Sequence, residues 1–328
     1  MSRKKSTTLY RPFLRDACRL TWQRKSLWIF GIFAALISTG GVVDMVWQSL
    51  QKVQRAESLL HSLMNHSFIG YDIAASYMAQ LNTLGSQRTS LIVIAATLAG
   101  VALLVISILS QGALILGIRS KKPEDPYILR NNAASRFWPL FLVGTLNKIL
   151  TGIFMLLMTL PLLLISVSSA PAYGALFFVL LVIFIAASII LNIIYIFTLI
   201  DIMESDVPVL QAIHTSIRLF LKQWIAAFEY GALLFLLVIG GTCLFVLFLA
   251  LLLVPYSILF SVIILSGSSA LFLTFNILSI FVLIAFVLMF GGACVTFQYS
   301  AWYNFYTHGL HKTHGKKVFS KLIRLIHG

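Results

Sequence analysis

The chain has 328 residues, of which 59% are apolar and 10% charged, with a mean hydropathy of +0.95; a water-soluble fold has no place for that much apolar surface, so a polytopic membrane protein is indicated. Its net charge of +14 collects at the edges of the apolar runs, which assigns the charge to positive-inside sorting and anionic lipid rather than to nucleic acid. The three cysteines, Cys18, Cys243 and Cys294, form no CxxC pair and no even-numbered framework, so neither disulfides nor a thiolate metal site is indicated.

Residues 1–26 are a basic cytoplasmic segment carrying Arg3, Lys4, Lys5, Arg11, Arg15, Arg19, Arg24 and Lys25. Arg11, Arg15 and Arg19 recur every four residues, with Phe13, Ala17 and Leu20 on another side. That spacing predicts an interfacial helix whose arginines meet lipid headgroups. The first span, 27–43, runs into Asp44 and Trp47 without a small-x-small cleavage site, which makes it a retained signal anchor. The following loop, 48–88, holds only Lys52, Arg55 and Arg88 as basic residues and is placed outside. Within it, Leu50, Val53, Leu60 and Leu63, then Ile73, Tyr77, Leu81 and Leu84, predict a helical hairpin capping the outer face or offering a partner surface.

A second span over 89–118 ends at Arg119, Lys121 and Lys122, and the basic stretch to Trp138 is cytoplasmic. The third span, 140–166, and the fourth, 174–200, are joined by an outer turn around Pro171. The stretch DIMESDVPVLQAIHTSIRLFLKQW, from Asp201 to Trp224, has the sharpest helical pattern in the chain. Leu210, Ile213, Ile217, Phe220 and Trp224 share one face, and Gln211, His214, Thr215, Arg218 and Lys222 take the other. Asp206 is the expected N-cap, Pro208 fits the first turn, and Arg218 and Lys222 suit the negative end of the helix dipole. Too polar to cross a bilayer, this helix at 206–223 is placed in the cytoplasmic interface.

The fifth span is 224–254, an outer connection, free to dip into the membrane, covers 255–269, and the sixth span is 270–305. The tail, 306–328, is basic and cytoplasmic, with Lys312, Lys316, Lys317, Lys321 and Arg324. The expected fold is therefore an all-α integral membrane protein whose domain at 27–305 has six transmembrane helices as three hairpins, with cytoplasmic interfacial amphipathic helices. Each hairpin is introduced by a basic and aromatic stretch, Arg19 to Trp28, Arg136 to Trp138 and Arg218 to Trp224. One unit is thus used three times, and Trp28, Trp138 and Trp224 with Arg218 and Lys222 are its expected interfacial anchors.

Ionisable residues inside spans are functional candidates, since a charge at the centre of the hydrocarbon costs at least ~3 kcal/mol. Lys148 in the third span and Glu229 in the fifth are both entered from the cytoplasmic side, and are the candidate intramembrane polar pair. Snorkelling lysine and an interface-seeking glutamate are the plainer explanation. Asn147, Asn192 and Asn276 are expected to bond between helices. Asp201, Glu204 and Asp206 have the chemistry of a divalent-ion site but are expected to form a solvated acidic turn; His308, His311 and His314 drift around a helix and read as headgroup-facing tail. No metal, cofactor or catalytic residue is expected, because no GxSxG, HExxH, Walker loop or strand-borne GxGxxG occurs.

The run IFTLIDIMESDVPVLQAIHTSIRLFLKQW, ending at Trp224, has an acid closing a span and then a helix bearing Ala212, Ser216 and a basic end. It resembles the bacterial membrane domain found in some glycerophosphoryl diester phosphodiesterases, a plan shared by stand-alone, uncharacterised bacterial membrane proteins. The resemblance covers the layout from Gly112 to Tyr306. It implies a bacterial inner-membrane protein, but the phosphodiesterase activity of that family belongs to a separate soluble barrel, for which no sequence is expected here. Glu204 and Asp206 mimic part of the barrel's acidic motif without its His-Arg partner, so the activity is not implied.

The expected function is non-catalytic: a multi-pass protein that organises, assembles or senses the membrane, contacting anionic headgroups and able to engage a membrane-protein partner or a second copy. The alternative is a transporter or lipid-translocating protein with a polar path past Lys148 and Glu229.

Overall fold

The computed structural model describes residues 10–38, 86–120, 124–165, 171–265 and 267–311. Among these residues there are helices and no strands. The helices are α1 (Arg11–Gln23), α2 (Leu27–Ser38), α3 (Ser86–Arg119), α4 (Pro126–Ala134), α5 (Phe137–Ile165), α6 (Pro171–Ser205), α7 (Val209–Lys222), α8 (Trp224–Leu265) and α9 (Ser269–Asn304), closed by a π-helical turn, Phe305–His311.

Among the described residues, five segments are long and apolar enough to cross a membrane: Ser90–Arg119, Phe137–Leu157, Phe178–Ser205, Trp224–Leu265 and Ser269–Leu310. The protein is a helical membrane protein. The described part of the first expected span, α2, has 12 residues; its continuation, the outer loop up to 85 and the tail from 312 lie outside the described residues.

One expectation fails clearly. The outer connection placed at 255–269 is helix as far as Leu265, with Pro255 inside it. Proline removes one backbone donor, but the stretch after it is apolar, and in a membrane the helical backbone is the arrangement that satisfies its own polar groups. Two serines add side-chain bonds there, Ser257 Oγ to the Val254 carbonyl at 2.8 Å and Ser261 Oγ to the Ser257 carbonyl at 2.8 Å. Aromatic pairs knit α8 to α9 on both sides of the proline, from Phe245 and Phe290 (ring centroids 4.1 Å apart) to Phe260 and Phe272 (5.7 Å). The chain actually turns around Gly267, whose φ of +66° suits glycine, and Ser268 caps α9 by accepting from the Leu271 N–H at 3.4 Å.

The described residues fall into two compact units. One comprises residues of Met1–Ala35, Leu109–Phe137 and Phe197–Gly328; the other, of Leu36–Ile108 and Trp138–Ile196. The first unit holds a dense core. Tyr230 stacks on Phe305 at 4.3 Å, Trp302 meets Tyr230 edge-on at 5.4 Å, and Phe197 tilts against Tyr306 at 5.3 Å. Tyr230 finds its polar partner by donating to the Ala301 carbonyl at 2.9 Å, as a buried tyrosine must. Close backbone approach completes the core. A Cβ on Gly31 would fall on the Gly292 carbonyl oxygen, and Thr296 Oγ1 donates across the same crossing to the Leu27 carbonyl at 3.3 Å. This small-residue contact brings α2 and α9 together.

Candidate functional site

Three short helices, α1, α4 and α7, each directly precede an apolar helix, α2, α5 and α8. All three belong to the first unit. Their local sequences explain why they form and stop. Pro12 and Pro126 occupy the first turns of α1 and α4, where a missing N–H costs nothing. Asp125 caps α4 by accepting from the Tyr127 N–H at 3.1 Å. In α7 the cap is Pro208, which has no side-chain bond to offer. The expected N-cap, Asp206, sits two residues too early, in the left-handed region at φ +55°. Its carboxylate is taken instead by Arg136, at 3.0 Å.

The packing face of α7 is also not the one its apolar pattern marks. Ala212, Ser216 and Phe220 are buried, as is Gln223 beyond the helix end. Leu210, Ile217 and Leu221 are exposed (85%, 39% and 67%), and Gln211, His214, Arg218 and Lys222 are exposed on a third side. At roughly 100° per residue, α7 therefore has a small-residue face toward its own protein, a large apolar face beside that, and a polar and basic face beyond. The expected stripe splits because Ala212 and Ser216 permit a close approach that Leu210 and Ile217 would block. Helix α1 is built alike. Ala17 and Thr21 are buried, while Arg11, Arg15, Cys18, Arg19 and Trp22 are exposed. In α4 the buried pair is Leu129 and Ala133, and Tyr127 and Ile128 are exposed.

A feature absent from the sequence reading ties these helices to the spans. The last four carbonyls of a helix lack intrahelical partners and carry its negative pole. Arg24, which follows α1, donates through Nη1 to the Gly117 carbonyl in the last turn of α3 at 2.6 Å. Arg136, which follows α4, donates through Nη1 to the Ile202 and Met203 carbonyls in the last turn of α6 at 3.2 and 2.8 Å. The position after α7 is Gln223 instead. Arg119 joins the two capped ends, donating to the Met203 carbonyl at 3.1 Å and pairing with Glu204 at 3.3 Å.

The acidic turn is accordingly not a solvated cluster. Asp201 is buried and accepts from Ser205 Oγ at 3.2 Å, and Glu204 accepts from Tyr303 Oη at 2.9 Å besides its pair with Arg119. Only Asp206 is exposed among the three. Each acid turns to a different partner, and no group of three His, Cys, Asp or Glu side chains suited to a metal ion occurs among the described residues. His308 lies in the π-helical turn, its Nδ1 2.9 Å from Thr307 Oγ1.

Of the intramembrane candidates, Lys148 belongs to the second unit and Glu229 to the first. Glu229 accepts from Tyr10 Oη at 2.5 Å, a link from the residue before α1 to α8. Asn276, expected to bond between helices, donates to the Phe272 carbonyl of its own helix at 2.8 Å. Among the expected anchors, Arg218, Lys222, Trp138 and Trp224 are exposed. Trp28 is half-buried, its indole N–H donating to the Thr21 carbonyl at 2.9 Å. The exposed tryptophan of that pair is Trp22, at 70%, which meets Trp28 edge-on at 6.0 Å. Its signal was its place on the arginine face of α1. No family model, curated protein or solved structure matches this chain.

Proposed function

We propose that this is a non-catalytic, multi-pass protein of a bacterial cytoplasmic membrane that organises or senses that membrane from its cytoplasmic surface. On this reading six spans form three hairpins, both termini are cytoplasmic, and α1, α4 and α7 each lie in the interface ahead of one hairpin. The observation that carries it is the three-faced cross-section of α7. A helix held by Ala212 and Ser216, exposing Leu210 and Leu221 on one side and Arg218 and Lys222 on the next, meets three media at once: protein, acyl chains, and headgroups with water. Exposed apolar side chains of that size cost free energy in water and none in lipid.

Two further observations support the placement. Burying apolar surface gains free energy where water is the alternative, so a dense aromatic core around Tyr230 and Phe305 fits a layer at the aqueous end of the spans. From Phe235 to Leu265, α8 would be ~46 Å long at 1.5 Å per residue, close to the ~40–45 Å of a bilayer with its headgroups; no Asp, Glu, Lys or Arg lies between Glu229 and Lys312.

The test is reconstitution into vesicles, with labelled-lipid flipping and solute leak measured for the intact protein and for Lys148→Ala and Glu229→Ala. The expected result is no activity above empty vesicles. Translocation that falls in both variants would overturn the reading in favour of a transporter.

A further inference from the structure

Six arginines of the first unit divide into two sets. Arg24, Arg119 and Arg136 are committed to helix-end carbonyls. Arg11, Arg15 and Arg19 are exposed on α1 and form no ion pair among the described residues. At roughly 100° per residue they occupy one continuous arc with Cys18 and Trp22, opposite the buried line of Tyr10, Ala17 and Thr21. The acid of this helix, Asp16, is exposed and adjoins the Arg19 edge of that arc, three residues before Arg19. Trp22 follows Arg15 and Arg19 by seven and three residues, and the Lys25 ammonium lies over its ring at 5.9 Å from the centroid. A tryptophan exposed at 70%, with Lys25 over its ring and Arg15 and Arg19 on the same arc, has an apolar body suited to the acyl boundary and charged neighbours suited to phosphates.

We propose that this arc of α1 is a binding site for anionic phospholipid. Arg15 and Arg19 take the headgroup phosphate as charge-assisted donors, Lys25 adds charge, and Trp22 inserts beside the acyl chains. The occupant follows from charge complementarity: the arc offers three arginines, with Lys25 beside Trp22, against the single carboxylate of Asp16 at its edge, next to an aromatic ring that water solvates poorly. This inference rests on the interfacial placement proposed above and adds a lipid preference and the residues that carry it.

Cys18 lies on the same arc and is exposed, so it can report on its own surroundings. The full-length protein with Cys243→Ser and Cys294→Ser carries a fluorophore on Cys18, in vesicles of phosphatidylcholine with a minority of phosphatidylglycerol. Quenching by brominated phosphatidylglycerol is compared with quenching by brominated phosphatidylcholine at the same mole fraction. Stronger quenching by the anionic lipid is expected, with an enrichment on the order of fivefold for each arginine engaged. Arg15→Gln with Arg19→Gln should abolish the preference, added salt should reduce it, and Arg130→Gln on α4 should leave it intact. Arg15 and Arg19 form no ion pair among the described residues, so their loss should leave folding untouched, and the salt titration tests the site without any substitution. Equal quenching by the two lipids would overturn the site while keeping α1 in the interface. No quenching by either would overturn the site and the interfacial placement together.

Discussion

Replacing Arg136 tests whether the arginine that follows α4 holds the first unit together. Its side chain is 22% exposed and serves three acceptors: the Ile202 and Met203 carbonyls and the Asp206 carboxylate. The two kinds of contact differ in worth. Asp206 is 73% exposed, so water and salt screen that ion pair to below about 1 kcal/mol. The carbonyls belong to buried residues in the last turn of α6, where a hydrogen bond from a charged donor contributes about 1.5–3 kcal/mol and an orphaned acceptor costs about 1–3 kcal/mol. Met203 keeps Arg119 as a partner, which limits the damage. Arg136→Ala should therefore cost about 2–4 kcal/mol, Arg136→Lys less, because one ammonium cannot reproduce the planar fork, and Asp206→Asn under about 1 kcal/mol. Detergent-micelle unfolding followed by tryptophan fluorescence reads the order of the three. If Asp206→Asn proved as costly as Arg136→Ala, or Arg136→Ala lay within about 0.5 kcal/mol of the parent, the scale of an ordinary surface change, the capping argument would be refuted.

Gly31→Ala and Gly292→Ala should each destabilise by about 1–3 kcal/mol or more, since each new methyl would fall on the facing backbone, whereas Gly240→Ala, with open space around it, should leave the unfolding midpoint unchanged or slightly raised. Equal effects at the three positions would dismiss the close contact between α2 and α9. Tyr10→Phe should cost about 1.5–3 kcal/mol, and a double-mutant cycle with Glu229→Ala should show coupling, because the phenol donates to a carboxylate. The same cycle run with Lys148→Ala measures the intramembrane pair, which additive losses would rule out. Leu221→Asp should lift α7 from the lipid and raise the access of a water-soluble relaxation agent to a nitroxide at Leu210, while Ala212→Leu should instead lower the unfolding midpoint because that site is fully buried. A nitroxide equally water-accessible before and after Leu221→Asp would contradict the placement.

The sequence carried the membrane character and the existence of α1 and α7, because apolar run length and helical periodicity are local signals that the bilayer and its interface read directly. It misled wherever a neighbour decided the outcome. The apolar stripe of α7 marks what must avoid water, not what touches protein, and Ala212 and Ser216 won the packing face because their size lets another helix approach. Asp206 has the chemistry of an N-cap, but the extended backbone at Pro208 moved the helix start past it and left the carboxylate to Arg136. Pro255 looked like a break because, in water, proline ends helices; within an apolar hairpin laced by Tyr256 and Phe275 at 5.3 Å, the helix continues. The caps made by Arg24 and Arg136 had no local signal at all. Their acceptors lie 93 and 66–67 positions away.

Those two caps also show how the short helices are tied to the longer ones. After α1 and after α4 stands an arginine that reaches the last turn of a long helix, α3 or α6. After α7 stands Gln223, and α9 does not end in a capped turn but passes into the π-helical turn Phe305–His311. What holds that end comes from the start of the chain. Phe13 meets Phe305 edge-on at 6.4 Å, a Cβ on Gly309 would lie 3.6 Å from the Phe13 ring, Tyr10 bonds Glu229, and Gly31 abuts Gly292. Helix α1 therefore makes two separate ties: Arg24 caps α3, while Tyr10 and Phe13 pack against α8 and the π-helical turn that follows α9. The aromatic residues at its N-terminal end answer a demand that α4 and α7 do not meet, because no arginine among the described residues caps the end of α9. Removing the Phe13 ring should then loosen the end of α9 while leaving the α3 cap intact, and Arg24→Ala should do the reverse; hydrogen exchange at Phe305–Leu310 against exchange at Leu116–Arg119 separates the two. Loss of protection at both ends from either substitution would show that α1 acts as a single rigid strut rather than as two independent ties.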